Sequence, residues 1–598
     1  MALSVNTPPW FETNGEAIRV EPPDSSVVPL TISDESSTRT LSPPELHAWA
    51  IARIEYHKEY IRRLSAIQNA SALFHQRMPS ELLVAIFAQV HPSKRKGIRL
   101  LHVCRLWRSL ALKTPEFWVS MLTNILINEH DPLGRHPTRN KRYIQAFAEL
   151  SSPRPFAVPL NSRLSCHIFA PHFSRISSLT IHITLSQAAK LYERLSLGMP
   201  QLKKLVIKHI LDPEDPLCDR DDWNALRLAQ VPADAFKSLH ELKLPSTFFI
   251  PLPPMPTLRR LVIGGCRCRK CNSVPDAAQT QSDIFAILRQ CPALASVSIE
   301  ATTCGSHPRP PLQQVQPVHL PYLSRLELSV KGMELVSAAL GGHVEGSADA
   351  TLIFHVTLPR GRQFHELSLP HFNHPVVASL KTICFDFGTI PASDELRYRV
   401  RGTIAGNLRF YLDVKGHIPD ADVRGTAVNN LFDTISPQGL QSLTLGSLDK
   451  SRSTPGITLE TLTKYLSRIP SLATLKLLRF SSSTFITDAV GVLAHHASDS
   501  PNLGLCPELK KLDISFRCTH LGGESLQTMF DGIESMLASR APNGLETLVV
   551  QVYDVSSISP RITGDSLKKK LLRRFRRHVG DVRVTTYHGD IAYDQYYN

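Results

Sequence analysis

One short pattern recurs twelve times between Ile176 and Val550, and it limits what most of this chain can fold into. Each copy is an apolar residue, two free positions, an apolar residue, one free position and a third apolar residue. The copies are Ile176/Leu179/Ile181, Leu202/Leu205/Ile207, Leu239/Leu242/Leu244, Leu258/Leu261/Ile263, Leu294/Val297/Ile299 and Leu323/Leu326/Leu328, then Phe364/Leu367/Leu369, Leu380/Ile383/Phe385, Leu440/Leu443/Leu445, Leu472/Leu475/Leu477, Leu509/Leu512/Ile514 and Leu545/Leu548/Val550. The last two apolar positions of each copy are two apart, so they share one face of a short strand. Helical patterns lie between several copies, at Ser186–Leu197, Asp283–Gln290, Leu459–Ser467 and Gly523–Ser539. A strand and a returning helix cannot bury an apolar face alone, but a stack of such units can. Prolines precede many copies, at Pro200, Pro256, Pro292, Pro321, Pro470 and Pro507. The steps are uneven, 36 or 37 residues in some places and 19, 29 or 32 in others, with one long gap from Leu380 to Leu440. Residues 330–435 fit the pattern worst and read as an insertion or as degenerate repeats. Within them, Thr351–Leu358 and Leu408–Val414 alternate like the strands of a hairpin.

A second dense stretch stands ahead of the repeats. Arg77–Trp118 reads RMPSELLVAIFAQVHPSKRKGIRLLHVCRLWRSLALKTPEFW. Met78-Pro79-Ser80-Glu81 is a helix start, since proline fits a first helical position. Leu82, Leu83, Ile86, Phe87 and Val90 recur at three- and four-residue spacing, which puts them on one side of a helix. Pro92 and Gly97 break the pattern around the basic loop Lys94-Arg95-Lys96. A second helix is expected over Ile98, Leu101, Val103, Leu106, Trp107 and Leu110, ended by Thr114-Pro115 because a residue before proline is pushed from helical geometry. A unit of about 40 residues has trouble burying enough surface by itself. Its apolar groups call for cover, from the chain or from another protein.

Both stretches resemble known families. Met78-Pro79, Glu81-Leu82-Leu83, Ile86-Phe87, the run Val103–Ala111 and Thr114–Trp118 together resemble an F-box, in the form common in large fungal, basidiomycete-type families. Met78 stands where that family usually has Leu, which keeps volume and apolarity. The later pattern resembles a leucine-rich repeat, though the asparagine such repeats carry is mostly missing here, so an irregular arc is expected. An F-box followed by such repeats is a known arrangement. The resemblance implies that the F-box docks a Skp-family adaptor, and through it a cullin, while the repeats hold a protein target. The residues it points to for docking are Met78, Pro79, Leu82, Leu83, Ile86, Phe87, Val103, Cys104, Trp107 and Leu110; some must instead pack internally, and the sequence does not separate the two groups. Trp118 is expected to pin the F-box to the segment after it.

At 598 residues the chain should hold several units. Residues 1–43, rich in Pro, Ser and Thr, read as a disordered leader. A helix follows over 44–75, with Ser42 as its cap. It carries Leu46, Ala50, Ile54, Ile61, Leu64 and Ile67 as a stripe, which either folds back on the F-box, the reading favoured here, or pairs as a short coiled coil. The F-box spans 76–122, and a connector over 123–155 holds one helix near Lys141–Leu150. The repeats run over 156–555, with the insertion near 330–435, and a basic helix and tail occupy 556–598. The fold class is therefore α/β, a helical F-box followed by an irregular leucine-rich-repeat solenoid. The chain does not open on a secretory signal pattern, and no apolar run approaches the length of about 18 residues a membrane span needs. The eleven scattered cysteines then read as reduced thiols in cytosol or nucleus.

Candidate chemistry is sparse. Cys266, Cys268 and Cys271 cluster near Arg267, Arg269 and Lys270, but the second cysteine pair of a structural zinc site is missing. Neither a metal nor another cofactor is expected. The net charge of +14 admits acidic partners without requiring them. Half of it sits in Lys568, Lys569, Lys570, Arg573, Arg574, Arg576 and Arg577. Leu567, Leu571, Phe575 and Val579 lie four apart on the other side. That segment reads first as a terminal cap with a solvated basic face, then as a nuclear-import signal, and last as a phosphate-contacting surface. Aromatic residues do not interleave with the charges, so nucleic acid is not the expected partner. No Walker loop, nucleophile elbow, HExxH or dinucleotide fingerprint appears. The expected function is a non-enzymatic substrate receptor of an SCF-type ubiquitin ligase. The alternatives are a basic nuclear protein binding nucleic acid, and a scaffold with no ligase attached.

Overall fold

In a computed structural model of the chain, the described residues are 32–71, 77–90, 95–128, 137–160, 166–183, 191, 195, 197–209, 233–245, 254–264, 281–300, 317–331, 336, 339–358, 374–390, 395–417, 435, 439–447, 459–480, 483–498, 505–518, 523–540, 544–554 and 563–587. They are mixed helix and strand, with a helical N-terminal part, as the α/β reading expects. Met1–Phe87 with Lys96–Lys113 cluster as one compact unit, and Ala88–Arg95 with Thr114–Asn598 as a second.

The first unit is helical. Helix α1 spans Ile32–Thr38 and α2 spans Pro43–Ser71. The first of these lies inside the stretch read as a disordered leader and corrects that reading for its residues. Asp34, buried, pairs with Arg53 of α2 at 2.9 Å. Ser42 stands just before α2, where a cap is expected, but its hydroxyl donates rather than accepts: the Glu45 carboxylate takes the Ser42 backbone N–H at 2.9 Å and the hydroxyl at 2.6 Å. This is one half of a capping box. The apolar stripe of α2 does not fold back. Leu46, Ile54, Ile61, Leu64 and Ile67 are all exposed. The opposite charges satisfy one another within the helix, Lys58 with Glu55 at 2.6 Å and Arg62 and Arg63 with Glu59 at 3.1 and 3.3 Å. Such pairs at three- and four-residue spacing help hold a helix without tertiary cover.

Helix α3 spans Ser80–Gln89. The single second helix expected over 98–110 is instead two pieces, a 3₁₀ turn over Arg95–His102 and helix α4 over Arg105–Leu112. Cys104 between them is extended, and its Sγ accepts from the Trp107 N–H at 3.4 Å. A residue whose side chain takes up an orphan amide of the first turn starts a new helix rather than continuing the old one.

The second unit opens with helices α5, Pro115–Asn128, and α6, Pro137–Leu150. Trp118 packs between Phe117 of its own helix and Phe147 of α6, with ring centroids 5.2 and 5.0 Å away. It therefore joins α5 to the connector helix. Sixteen described strands then form one sheet. In chain order they are β1 Phe156–Leu160, β2 Ile176–Ile183, β3 Lys204–His209, β4 Glu241–Pro245, β5 Arg260–Gly264, β6 Ser296–Glu300, β8 Arg325–Lys331, β10 Thr351–Thr357, β11 Thr382–Ile390, β12 Glu395–Ile404, β13 Asn407–His417, β14 Ser442–Ser447, β15 Thr474–Phe480, β16 Lys511–Arg517, β17 Thr547–Tyr553 and β18 Asp581–Thr586. Two short strands outside it, β7 Val318–Leu320 and β9 Val344–Gly346, pair with each other.

The repeated pattern accounts for the order of the sheet. Strands β1 to β6, β8 and β10 follow one another as parallel neighbours, and β14 to β18 do the same. The copies meet in register: Leu205 pairs with Leu242, Leu242 with Leu261, Leu261 with Val297 and Val297 with Leu326. Further on, Leu443 pairs with Leu475, Leu475 with Leu512 and Leu512 with Leu548. All three apolar positions of every described copy are buried. The copy at Phe364 lies outside the described residues. Helices α7 Gln281–Gln290, α8 Pro375–Ala378, α9 Leu459–Ser467, α10 Ser483–Ser498 and α11 Gly523–Arg540 come between strands, and α12 Gly564–Phe575 precedes β18.

Residues 330–435 depart from the expected hairpin. Thr351–Thr357 and Asn407–His417 are neighbours, but parallel ones, with Leu352 opposite Phe410. The hairpin is β12 with β13, and β12 pairs antiparallel with β11 as well. A three-strand antiparallel insert thus sits between β10 and β14. Its tight turn is Ala405-Gly406, at φ of 50° and 81°. Positive φ at both central residues suits a two-residue hairpin, because that turn follows the right-handed twist of its strands.

Candidate functional site

The expected docking residues divide into two groups along α3. Pro79 begins the helix, its carbonyl accepting from Leu82 and Leu83 at 3.1 and 3.3 Å. Leu83 and Phe87, four apart, are each 1% exposed. Leu82 and Ile86, also four apart, are 54% and 45% exposed. Successive residues turn by about 100°, so these are two adjoining stripes of one helix. The inner stripe is fixed by Phe87, whose ring meets Trp107 of α4 edge-on at 5.3 Å.

The second helical piece repeats the division. Val103 is 48% exposed and Leu106 42%, while Trp107, Cys104 and Leu110 are half-buried and Ala111 is fully buried. Met78 is half-buried and Pro79 exposed. Among the ten expected docking residues, then, Leu82, Ile86, Val103 and Pro79 present themselves to solvent, and Leu83 and Phe87 do not. Leu106 belongs with the exposed group although the sequence did not single it out for docking. Its signal was available: it follows Val103 by three residues, one helical turn ahead of Leu110. Monomers rarely leave so many large aliphatic side chains uncovered within a segment this short, and such groups mark binding surfaces. Lys94 of the basic loop lies outside the described residues.

The C-terminal basic segment forms α12 as its spacing predicts. Leu567, Leu571, Phe575 and Val579 are buried, and Thr563 caps the helix by accepting from the Ser566 N–H at 3.3 Å. Lys568, Lys569, Lys570, Arg573, Arg576 and Arg577 are exposed. Arg574 is not: it pairs with Glu534 of α11 at 2.6 Å and with Asp531. Six of the seven cations are thus exposed, and Arg574 instead ties α12 to α11.

Four of the buried or half-buried thiols are poor nucleophiles. Burial pushes Cys291 up to about 11 and Cys384, Cys506 and Cys518 up to about 12, so they are protonated near neutral pH. Cys266, Cys268 and Cys271 lie outside the described residues. Among the described residues there is no group of three or more His, Cys, Asp or Glu able to hold a metal, and no helix is long and apolar enough to cross a membrane. A polar cluster joins the antiparallel insert to β10. Arg397 grips Asp413 with both arms at 2.7 Å, and His355 lies 3.9 Å from the same carboxylate. Burial alone would raise Asp413, but the nearby His355 and the two Arg397 hydrogen bonds hold it well below the usual carboxylate range.

Comparison with known proteins agrees with this picture at the N-terminal site. Residues 75–124 match the F-box-like family, so the chain carries an F-box-like domain there, which supports an F-box protein. No curated protein matches the chain. Among solved structures, the crystal structure of a Bacteroides fragilis protein, a target of the Northeast Structural Genomics Consortium, is similar over 74% of this chain and 78% of its own at 10% identity. Its TM-score of 0.16 is too low to carry an argument.

Proposed function

We propose that this chain is a substrate-recognition subunit of an SCF-type cullin-RING ubiquitin ligase. The observation that carries this reading is the exposed set Leu82, Ile86, Val103 and Leu106, inside the residues that match the F-box-like family. F-box domains in general bind Skp-type adaptors. Apolar anchors at the centre of a contact supply most of its energy, and rim charges mainly set rate and specificity. Leu82, Ile86, Val103 and Leu106 are the anchors, and Leu83, Phe87 and Trp107 are the core that presents them.

In this reading the chain performs no chemical step of its own. It shortens the distance between a bound target and a ubiquitin-charged enzyme carried by other subunits. Residues 156–555 act as a degenerate leucine-rich-repeat solenoid with an inserted antiparallel meander, and their strands and loops bind the protein target. The described in-register copies, each buried at its apolar positions, support this.

The test is direct binding of a purified Skp-type adaptor to the full chain, by pull-down and by calorimetry. Leu82→Asp/Ile86→Asp should abolish binding while the circular dichroism spectrum stays that of the wild type. A scaffold whose helices are internal core alone would lose its fold in the same variant. Failure of the wild type to bind, where a known F-box protein does, sinks the ligase reading.

A further inference from the structure

A recess of about 550 Å³ lies between α11 and α12, lined by Lys569, Lys570, Arg573, Arg574, Arg577 and Glu534, with Ser566 at its edge. The volume is that of a small-molecule site, about 300–1,000 Å³, but the walls are not the usual apolar ones. Five cations face one carboxylate. That carboxylate is already engaged, holding Arg574 at 2.6 Å and lying 3.6 Å from His578. Arg574 also pairs with Asp531. Lys570 donates to the neutral Gln527 amide oxygen at 3.5 Å. Among the described residues, Lys569, Arg573 and Arg577 have no ion pair.

The rest of the chain makes this excess informative. On α2, Lys58, Arg62 and Arg63 each have a carboxylate three or four residues away. On α12 Asp565 stands four residues before Lys569 without pairing with it, and the corresponding neighbours of Arg573 are all further cations; like charges four apart destabilise a helix. The Arg574 ion pairs, with the buried Leu567, Leu571 and Phe575, hold those cations together regardless. Lys569 and Arg573 are one turn apart, with stems about 5–6 Å from each other. That spacing suits two phosphoryl groups of one molecule, each met by charge-assisted hydrogen bonds, which are the stronger kind. The lining contains no aromatic side chain, so nothing there can stack on a base. An apolar ligand would find no apolar wall.

We propose that this recess binds a small soluble anion carrying two or more phosphoryl groups. The site is separate from the docking helices and does not depend on the ligase reading. Its occupant neutralises Lys569, Arg573 and Arg577 and stiffens the contact between α11 and α12.

The test uses the full chain and inorganic tripolyphosphate, by calorimetry and by the shift in Tm. Wild type should bind saturably, with one ligand per chain and a Tm that rises to a plateau. Lys569→Gln/Arg573→Gln should weaken binding by about tenfold or more, since two charge-assisted contacts are lost. Lys568→Gln/Arg576→Gln removes the same charge from exposed positions outside the recess and should change affinity by no more than about twofold, because screening reduces charges that do not touch the ligand. All four residues are exposed, so neither variant should unfold the chain. Equal loss in the two variants would overturn the proposal in favour of diffuse attraction. So would non-saturating binding, or tighter binding of a single-stranded oligonucleotide than of tripolyphosphate, which would mark an extended nucleic-acid surface.

Discussion

Phe87→Ala should unfold the helical unit, and Leu82→Asp, five residues away on the same helix, should not. Phe87 is 1% exposed and Leu82 54%. Among the described residues of that unit, Leu83, Phe87 and Ala111 are the fully buried apolar side chains, so Phe87 is the largest part of a small core. Removing a buried phenylalanine costs about 3–5 kcal/mol, the lost transfer energy plus the cavity left behind. Part of that is the edge-on contact with Trp107 at 5.3 Å, about 0.5–1.5 kcal/mol by itself. A unit this small rarely has more than about 3–5 kcal/mol to lose. Leu82→Asp changes helix propensity and little else, and should stay within about 1 kcal/mol. The assay is amide hydrogen exchange on the full chain, read at Arg108 and Lys113, whose N–H groups donate to the Cys104 and Leu110 carbonyls at 3.1 and 3.0 Å. Phe87→Ala should lower protection there by about two orders of magnitude or more, following the free-energy loss. Leu82→Asp should leave it near the wild-type level while adaptor binding disappears. Unchanged protection in Phe87→Ala would refute the division into inner and outer stripes, and the docking argument would fall with it.

Other consequences follow from particular contacts. Asp413 sits below its unfolded value, so the stability it contributes is present above about pH 4 and is lost as pH falls toward the folded value. In Asp413→Asn, acid unfolding monitored by circular dichroism should depend less steeply on pH between about 5 and 2 than in the wild type. Arg397→Ala leaves that buried carboxylate without its bidentate partner and should cost about 2–3 kcal/mol by denaturant titration, toward the low end for a buried pair because Arg397 is partly exposed. At the hairpin turn, Ala405 holds φ of 50°; Ala405→Gly should raise stability by about 0.5–1 kcal/mol, seen as a higher Tm of the second unit, since only the side chain makes that geometry costly. Ile54→Glu and Ile61→Glu on α2 should each leave Tm nearly unchanged, because both side chains are already exposed.

The repeat strands were legible because their signal is redundant. A two-residue spacing fixes which side chains share a face, and parallel stacking then brings Leu205, Leu242 and Leu261 into one row without further information. Strand sense is not encoded that way. Thr351–Leu358 and Leu408–Val414 alternate equally well in either direction, and only the turn at Ala405-Gly406 and the length of β12 decide that β13 runs antiparallel to β12 and parallel to β10. The break in the second docking helix was hidden for a similar reason. Val103, Leu106 and Leu110 keep helical spacing across Cys104, so periodicity continues where the backbone does not. The same limit applies to the docking site itself. Leu82/Ile86 and Leu83/Phe87 satisfy one spacing rule and differ only by the turn of one residue, about 100° around the axis. Which pair faces inward depends on where Trp107 lies, and Trp107 belongs to another helix about twenty residues later in the chain. Local periodicity therefore identifies an apolar helix, and a tertiary contact must choose its buried side. Moving the aromatic partner should move the choice: Trp107→Ala opens the space beside Phe87 and should weaken adaptor binding through misplaced anchors, even though Leu82 and Ile86 are untouched. Calorimetry showing full affinity in a folded Trp107→Ala variant would mean that the outer stripe presents itself without the inner one.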